Sequence, residues 1–539
     1  MINVPATALS SKEVRKRILA RNKEELAIID VRKAGYFSRG HLLWATSIPF
    51  GDLETKTADL LPRYSVPIIL CSEDLNDESL ICRSAEKLRE FGYSNLFYLR
   101  GGVKSWKESG FEVFSGVNVP SKAFGEFIEK AHKTPSIGPQ NLKKMMDTGK
   151  EFLILDSRPT NEYQNMSIPS GINCPGAELV LRIFDLASDP GTPVIVNCAG
   201  RTRSIIGCQS LKNAQIPNPV FALENGTMGW HLAGFSLESG ARQFYGEVSA
   251  KGYRKAQEAV GKIAKQFGIT KVDWKTVKKW KGEESRSTFL LDVRQPKEFE
   301  SGHIKTSISA PGGQLVQATD QYIGVLGARV VLVDDLDVRA IMTATWLRQM
   351  GWHDVFVLDQ PSCKELEVQG KHSPKTHGLD SASCKFIDAR KLKVLLERKF
   401  VSLVDLAISS KYRDGHIPGA YYATREDLPE NLNFFQKQYE VVLTSPSGQQ
   451  ALLASSDLRK MGVETRVLSG GTKAWEACGF EIETGLTRCF EEPADIWQPP
   501  YELEGDPDFA MREYLSWEIG LVEQIRLDGT TDFKIFPEV

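Results

Sequence analysis

One cysteine of the chain stands among residues that could support thiolate chemistry. Cys198 ends the apolar run Val-Ile-Val-Asn-Cys, and a loop with a glycine and two arginines follows it. An amphipathic segment comes next, so we expect Cys198 between the end of a strand and the start of a helix. Backbone N–H groups at a helix N-terminus lower a cysteine pKa and attract anions. The pattern therefore predicts a nucleophilic thiolate beside a site for negative charge.

The predicted anion site is the loop that follows the cysteine. Its backbone N–H groups are expected to bind the anion, Gly200 to let the loop curl round the sulfur, and Arg201 and Arg203 to supply positive charge. Ser204 can cap the helix or donate to the anion. With Cys198 as the catalytic residue, the predicted substrate-binding residues are Ala199, Gly200, Arg201, Thr202, Arg203 and Ser204.

The elements that must position this loop recur four times. Four apolar runs end in an aspartate, at positions 30, 156, 292 and 405, and a second apolar run ends 40 to 42 residues after each. A helical segment, a third strand and a turn follow. Continuous apolar strands that alternate with helices predict a parallel sheet covered on both faces, with the site at the carboxyl ends of the strands.

The repeats divide the chain into four units joined by helical connectors. Unit 1 is predicted at 1–116, unit 2 at 137–240, unit 3 at 268–373 and unit 4 at 380–485. Residues 117–136 and 241–267 are predicted connectors, and 486–539 form a C-terminal extension. The extension has four aromatic residues that predict packing over the other units: Trp497, Tyr501, Tyr514 and Trp517.

Unit 1 keeps a cysteine at the end of its second apolar strand but changes its surroundings. The loop after Cys71 has no arginine and carries four acids, Glu73, Asp74, Asp77 and Glu78. Carboxylates raise the pKa of a nearby thiol and repel anions. Cys71 is therefore predicted to be structural or vestigial, with a secondary relay role as the alternative.

Units 3 and 4 have lost the cysteine. Asp334 replaces it in unit 3, although Arg339 stands at the position of Arg203. Ser445 replaces it in unit 4, where no base is present to activate a serine and Gln450 takes the arginine position. Both units are predicted to be degenerate and to serve packing or partner binding.

Other recurring residues are predicted to be architectural. The strand-end aspartates can cap the turns that follow them, and Arg158 and Glu162 are expected to pair because they lie four residues apart at a helix start. Three histidines are predicted turn residues: His41, His303 and His416.

Composition excludes several classes of protein. The net charge is −2 over 539 residues with lysine and arginine spread throughout, so no basic stripe predicts nucleic-acid binding. No apolar run is long enough to span a membrane, and no apolar signal segment opens the chain. Nine cysteines without a Cys-x-x-Cys pair predict neither a disulfide scaffold nor structural zinc. We expect a cytoplasmic protein.

Taken together, these motifs resemble the rhodanese-like domain. The pattern Asp-x-Arg-x-x-x-Glu-aromatic stands at 156–163 and 292–299, and Gly-His-Ile-Pro-Gly-Ala is complete at 415–420 and partial at 302–304 and 40–41. The cysteine loop and a Gly-Gly-x-x-x-Trp turn complete the set, which covers about 485 of the 539 residues. The resemblance implies an α/β fold of four tandem rhodanese-like domains, each a parallel sheet flanked by helices.

The resemblance also implies an activity. A rhodanese-type sulfurtransferase moves sulfane sulfur through a cysteine persulfide, here on Cys198. The implied partners are a small anionic donor, thiosulfate or a persulfide, and a thiol or cyanide acceptor, with a protein as a further candidate acceptor. No metal or organic cofactor is implied. Unit 2 departs from the family pattern at 164–171, where Gln-Asn-Met-Ser-Ile-Pro-Ser-Gly replaces the Gly-His-Ile motif.

Alternatives stay open at this level. Cysteine phosphatases use a Cys-x5-Arg loop, and Arg203 makes this loop one residue shorter, so a phosphatase or arsenate reductase is less favoured. Because three units lack the full set of groups, a non-turnover sulfur carrier or scaffold is the main alternative. Cys174 is either a resolving thiol or a core residue, and Cys208 is predicted to be core. Four more cysteines have no constellation of polar residues near them in sequence that would support chemistry: Cys363, Cys384, Cys478 and Cys489.

Overall fold

A five-stranded parallel sheet forms the centre of each of the four units in the part of the chain that the structure describes. The structure is a computed structural model and describes residues 4–359, 365–379, 384–436, 440–489, 492–503 and 505–536. In each sheet the first strand lies at one edge, followed by the fifth, fourth, second and third. The predicted fold class of parallel sheets flanked by helices is confirmed.

The strands are short and regular in position. Unit 1 contains β1 Thr7–Leu9, β2 Ala27–Asp30, β3 Thr46–Ser47, β4 Ile68–Cys71 and β5 Leu96–Leu99. Unit 2 contains β6 Ser136–Ile137, β7 Leu153–Asp156, β8 Ile172–Asn173, β9 Val194–Asn197 and β10 Val220–Leu223. Unit 3 contains β11 Thr270–Val272, β12 Thr288–Asp292, β13 Ile308–Ser309, β14 Arg329–Val333 and β15 Val355–Leu358. Unit 4 contains β16 Lys385–Ile387, β17 Val401–Asp405, β18 Tyr421–Tyr422, β19 Glu440–Thr444 and β20 Arg466–Leu468.

Helices connect these strands and join the units. Unit 1 has α1 Ser11–Ala20, α2 Ala34–Arg39, α3 Leu53–Leu60, α4 Glu78–Glu90 and α5 Gly102–Glu108, and α6 Val119–His132 leads into unit 2. Unit 2 has α7 Pro139–Asp147, α8 Thr160–Asn165, α9 Leu179–Leu186, α10 Thr202–Asn213 and α11 Gly226–Leu232, and α12 Ala250–Gln266 leads into unit 3. Unit 3 has α13 Trp274–Lys281, α14 Pro296–Ser301, α15 Gly312–Gln317 and α16 Val338–Gln349. Unit 4 has α17 Ala389–Glu397, α18 Ser409–Asp414, α19 Leu428–Gln436, α20 Gln449–Lys460 and α21 Gly471–Ala477, and α22 Pro507–Asp528 follows in the extension.

Two strands of every sheet were not apparent in the sequence. The apolar runs predict only the three central strands of each unit, whereas the structure adds a leading strand and a strand of two residues at the opposite edge. In unit 2 these are β6 and β8, which are too short to show a strand period. Edge strands pair on one side only, so brief segments suffice.

The strand-end aspartates cap turns, as predicted, but the expected pair of Arg158 and Glu162 is wrong. Asp156 accepts from the backbone N–H of Arg158 at 3.1 Å and from its guanidinium at 2.7 and 2.9 Å. Glu162 pairs with Arg203 instead, at 2.7 Å. The buried Asp156 carboxylate lies two residues from Arg158 and takes its guanidinium away from the helix surface on which an i,i+4 pair would form.

The three motif histidines are architectural, as predicted. Each ring is buried and stacks on an aromatic ring four residues earlier, with centroids 3.7 to 3.8 Å apart. The Nδ1 atom of each lies within hydrogen-bonding distance of a backbone carbonyl, at 2.8 or 2.9 Å. These histidines therefore hold a turn in units 1, 3 and 4.

Buried ion pairs link unit 3 to unit 2 and unit 4 to unit 1. Arg339 of unit 3 donates to the buried Glu178 of unit 2 at 3.0 Å. Arg425 of unit 4 donates to the buried Glu54 of unit 1 at 2.7 Å. These arginines also pair within their own units, Arg339 with Asp334 and Arg425 with Asp457. The bonds between units therefore extend buried ion pairs across the two interfaces, where a charge without a partner would be destabilising.

The C-terminal extension packs over the other units, as its aromatic residues predicted. Leu521 and Ile525 of α22 form a buried cluster with Val119 and Ala123 of α6. This places α22 along the connector between units 1 and 2. Among the described residues, no helix combines the length and apolar character needed to cross a membrane.

Candidate active site

Cys198 lies where the sequence predicted, directly after β9 and four residues before α10 begins. Residues 198–203, from the cysteine into the first turn of α10, are named the Cys198 loop. The thiol donates to Ser204 Oγ at 3.5 Å, and the Ser204 hydroxyl donates to the Arg201 carbonyl at 2.8 Å. The sulfur therefore lies at the N-terminal end of the helix, in contact with Ser204 of its first turn.

The turn after β10 holds the Cys198 loop in place. The backbone N–H of Thr227 donates to the Cys198 carbonyl at 2.8 Å, and that of Met228 donates to the Ala199 carbonyl at 3.0 Å. Gly226 has a φ of +55°, and a Cβ there would lie 2.3 Å from the Cys198 carbonyl oxygen. Only glycine fits so close an approach. This explains the glycine of the recurring turn motif.

Both arginines of the loop are bound to carboxylates. Arg201 donates to Glu126 at 2.7 and 2.8 Å and also contacts Glu129, both from α6. Arg203 donates to Glu162 at 2.7 and 2.8 Å. The sequence analysis assigned Glu162 to Arg158, and it missed Glu126 and Glu129, which lie 75 and 72 residues from Arg201. The positive charge near Cys198 is therefore partly offset.

The resting thiol is less acidic than the sequence pattern predicted. Cys198 is 2% exposed, and burial raises its pKa because a thiolate is poorly solvated there. The Arg203 guanidinium and the hydrogen bonds with Ser204 lower the pKa of Cys198, but by less than burial raises it. The expectation of a lowered pKa for Cys198 is therefore wrong, because the cost of burying the thiolate is larger than the effect of the helix N-terminus and the arginine.

The C-terminal helix covers the Cys198 loop. Met511 and Leu515 of α22 pack on Ala199 and Met228. A Cβ on Gly200 would lie 3.2 Å from the Glu518 carboxylate. The φ of Gly200 is not positive, so this glycine does not serve a left-handed turn, and its lack of a side chain leaves room for Glu518 of α22.

A buried lysine lies under the same cover. The Lys122 ammonium of α6 stands 4.8 to 5.4 Å from the ring centroids of Trp497, Tyr514 and Trp517. Burial lowers the pKa of Lys122, while the nearby Glu518 carboxylate opposes that effect. Three of the four aromatic residues singled out in the extension thus meet at one cation.

Unit 3 shows what a loop of this shape can hold. The carboxylate of Asp334 stands at the cysteine position and accepts from the backbone N–H groups of Arg339 at 2.8 Å and Ala340 at 3.2 Å. The Arg339 guanidinium adds a contact at 3.0 Å. Arg203 and Ser204 stand at the matching positions of unit 2. The loop therefore directs amide donors at an anion carried by its first side chain.

Cys71 is buried and its thiol has a raised pKa, as predicted, but for a different reason. Burial is the main cause, and Asp30 adds to it. The loop acids point to other partners: Glu73 pairs with Arg32, and Asp77 accepts from the Glu73 backbone N–H at 2.9 Å. Desolvation, rather than the acidic loop, keeps Cys71 protonated.

The other cysteines divide by burial. Cys174 and Cys208 are fully buried in the main hydrophobic core, as expected for packing residues. Burial raises the pKa of both thiols. Cys384 and Cys489 are partly buried and Cys478 is exposed, while Cys363 falls outside the described residues. Ser445 of unit 4 accepts from the Ala451 backbone N–H at 3.3 Å and so repeats the loop geometry without a thiol.

Comparison with known proteins agrees with the repeats. A model of the rhodanese-like domain matches residues 10–109, 138–233, 273–360 and 388–478. A crystal structure of thiosulfate sulfurtransferase from Pseudomonas aeruginosa is similar with a TM-score of 0.93 and 42% identity, covering 98% of this chain and 100% of that chain.

Similarity to curated proteins is confined to single units. An uncharacterized protein from Buchnera aphidicola subsp. Schizaphis graminum is 31% identical over 86 residues, 16% of this chain and 56% of the relative. The putative sulfurtransferase YtwF from Bacillus subtilis is 30% identical over 74 residues, 14% of this chain and 72% of the relative. The chain spans about half the length of the first of these. Four domain matches in order, each on one parallel sheet, show that the chain belongs to the rhodanese family.

Proposed function

We propose that the protein is a sulfurtransferase that carries sulfane sulfur as a persulfide on Cys198. The donor is thiosulfate or an organic persulfide, and the acceptor is a thiol or cyanide. The observation that carries this proposal is the Asp334 carboxylate of unit 3, held by two backbone amides in the first turn of α16. A persulfide on Cys198 would present its negative charge to the matching amides of Arg203 and Ser204.

The proposed reaction has two displacements. The Cys198 thiolate attacks the outer sulfur of thiosulfate, the S–S bond of thiosulfate breaks, and sulfite leaves with the electron pair. The product is a negatively charged persulfide, stabilised by the helix N-terminus and by Arg203. An acceptor such as cyanide then attacks the outer sulfur and leaves as thiocyanate, which returns Cys198 to the thiolate.

The cover over the loop favours small donors and acceptors. Met511 and Leu515 of α22 lie on Ala199, so a folded protein could reach the sulfur only after α22 moves. The similarity to a structure named thiosulfate sulfurtransferase supports thiosulfate as the first donor to test.

The test is intact mass before and after thiosulfate, followed by cyanide. We expect a gain of one sulfur atom that cyanide removes, and no gain in Cys198→Ser. Cys478→Ser is a matched control because that thiol is exposed and distant in sequence from the loop. A gain that persists in Cys198→Ser would place the sulfur elsewhere and end the proposal.

A sulfur carrier without free turnover is the second candidate. The near-complete burial of Cys198 favours this candidate, because a buried persulfide is shielded from acceptors in solution. Multiple turnover with thiosulfate and cyanide in solution would exclude this candidate. A single round of loading and discharge, with no further thiocyanate, would support it.

A further inference from the structure

Glu518 is a buried acid that the proposed reaction does not yet use. It lies on α22, is 2% exposed, and its Oε2 atom would be 3.2 Å from a Cβ on Gly200 of the Cys198 loop. Tyr514 donates its hydroxyl to Oε1 at 3.2 Å. Oε2 has no hydrogen-bond partner among the described residues. A buried carboxyl oxygen thus faces the loop with an unmet hydrogen bond, which a ligand could satisfy.

The groups around Glu518 favour its protonated form. Burial is the largest effect and raises the pKa of Glu518, and Glu126 of α6 raises it further. Lys122 of α6, Arg201 of the loop and the Tyr514 hydroxyl lower it, but by less in total. Glu518 is also close enough to raise the pKa of the Cys198 thiol. A carboxylic acid whose pKa is raised to about 7 therefore lies against the loop that carries Cys198.

We propose that Glu518 is the general acid and base of the Cys198 site, and that the preferred donors and acceptors are small thiols and their persulfides. This inference rests on the proposed function. Thiols need such a group because a thiolate is a basic leaving group and a neutral thiol is a weak nucleophile. Thiosulfate and cyanide do not, since sulfite leaves and cyanide attacks without proton transfer.

Each step balances without an oxidant or reductant. The Cys198 thiolate attacks the outer sulfur of R–S–SH, a new S–S bond forms, and the old one breaks. The departing R–S⁻ takes the proton of Glu518 and leaves as R–SH. An acceptor thiol R′–SH then gives its proton to the Glu518 carboxylate, attacks the outer sulfur of the Cys198 persulfide and leaves as R′–S–SH.

The test compares two substrate pairs in Glu518→Gln, which keeps the shape of the side chain. One pair is glutathione persulfide with glutathione, and the other is thiosulfate with cyanide. We expect kcat/KM for the persulfide pair to fall about 100-fold or more relative to the thiosulfate pair, the usual contribution of a general acid. Glu513→Gln, an exposed acid on the same helix, is the matched control.

The pH profile supplies a readout that a structural role would not move. As the pH is raised, kcat/KM of the wild type for the persulfide pair should increase with the thiolate fraction of Cys198 and level off once Glu518 ionises. With thiosulfate and cyanide, kcat/KM should continue to increase. In Glu518→Gln both rates should continue to rise. If Glu518→Gln does not fold, Tyr514→Phe tests the same point: loss of its hydrogen bond raises the pKa of Glu518, so the plateau should begin at higher pH.

The outcomes separate this inference from the proposed function. Equal loss with both substrate pairs, or no change in the persulfide profile, would overturn the role of Glu518 and leave the Cys198 persulfide intact. Failure of the wild type to load sulfur from either donor would overturn both.

Discussion

The Cys198 loop of unit 2 and the loop after Cys71 in unit 1 start from the equivalent central strand of two different sheets and differ in the groups that surround the thiol. Cys71 is the last residue of β4, Cys198 directly follows β9, and both cysteines are buried. In unit 2 the helix begins four residues after the cysteine, and Arg203 lies in its first turn. In unit 1 the helix begins seven residues after the cysteine, behind a 3-10 turn. The two cysteines therefore share a position in the fold but not the helix start and the arginine beside it.

The two loops also differ in what lies over them. The counterpart of the covered site in unit 2 is, in unit 1, an open cleft of about 750 Å³ beside Glu73 and Lys104. Helix α22 covers the Cys198 site of unit 2 and leaves the cleft of unit 1 open. The comparison shows that the loop supplies the hydrogen-bond donors near the sulfur, while α22, which is distant in sequence, determines how far water is excluded from the site.

The largest expected difference is in turnover. Cys198→Ala should lower thiosulfate turnover by about 1,000-fold or more, since no other group can take the sulfur. Cys71→Ala should stay within about twofold. Steady-state thiocyanate formation measures both, with circular dichroism to confirm folding. Comparable loss in the two variants would mean that unit 1 takes part in the transfer.

Alanine in place of the turn glycine should affect stability in both units but activity in unit 2 only. A Cβ would lie 2.3 Å from the Cys198 carbonyl in Gly226→Ala and 2.4 Å from the Ser72 carbonyl in Gly102→Ala. Both variants should lose similar stability, but only Gly226→Ala should lose activity, by about 100-fold, because the Cys198 loop must shift. Thermal unfolding and turnover together check this. Loss of activity in Gly102→Ala would contradict the assignment of unit 1 as inactive.

Arg203→Gln copies the residue that unit 4 has at this position. The Arg203 guanidinium lowers the pKa of Cys198, so its loss should raise that pKa and lower the rate of persulfide formation about 10- to 100-fold at neutral pH. Below the pKa the thiolate fraction rises tenfold with each pH unit, so high pH should partly restore the rate. Single-turnover loading from pH 6 to 10 measures this shift. A rate deficit independent of pH would show that Arg203 acts only by binding substrate.

The smallest expected effect concerns the strand-end aspartates. Asp405 of unit 4 has no arginine two residues later, and burial raises its pKa to about 6 from 3.8. Between these values the folded state binds more protons than the unfolded state, so stability falls as the pH rises through this interval. The free energy of unfolding of Asp405→Asn, measured relative to wild type, should therefore be higher at pH 8 than at pH 5, by at most about 3 kcal/mol.

Asp30→Asn is the contrasting variant for this measurement. Its carboxylate pairs with the buried Arg32 at 2.6 Å, so its removal leaves a buried charge unpaired and should destabilise the protein at both pH values. Thermal unfolding at pH 5 and pH 8 compares the two. A pH-independent effect of Asp405→Asn would show that Asp405 is ionised throughout.

Much of the fold and the immediate surroundings of Cys198 could be predicted because their signals are local. Each central strand is a continuous apolar run, and the spacing between runs repeats, so four parallel sheets follow from period and repetition. Cys198, Arg203 and Ser204 lie within seven residues of one another, and a strand–loop–helix order brings them together. The edge strands, by contrast, are too short to carry a pattern.

The sequence by itself determined that unit 2 carries the thiol, the helix start and the arginines, and that the other units lack one or more of these. Only the tertiary structure decided how acidic the thiol is and which groups meet it. Glu126, Glu162 and Glu518 reach the loop from α6, α8 and α22, across separations that leave no trace in local spacing. Desolvation is likewise a property of the packed molecule, because it depends on every segment that removes water from Cys198.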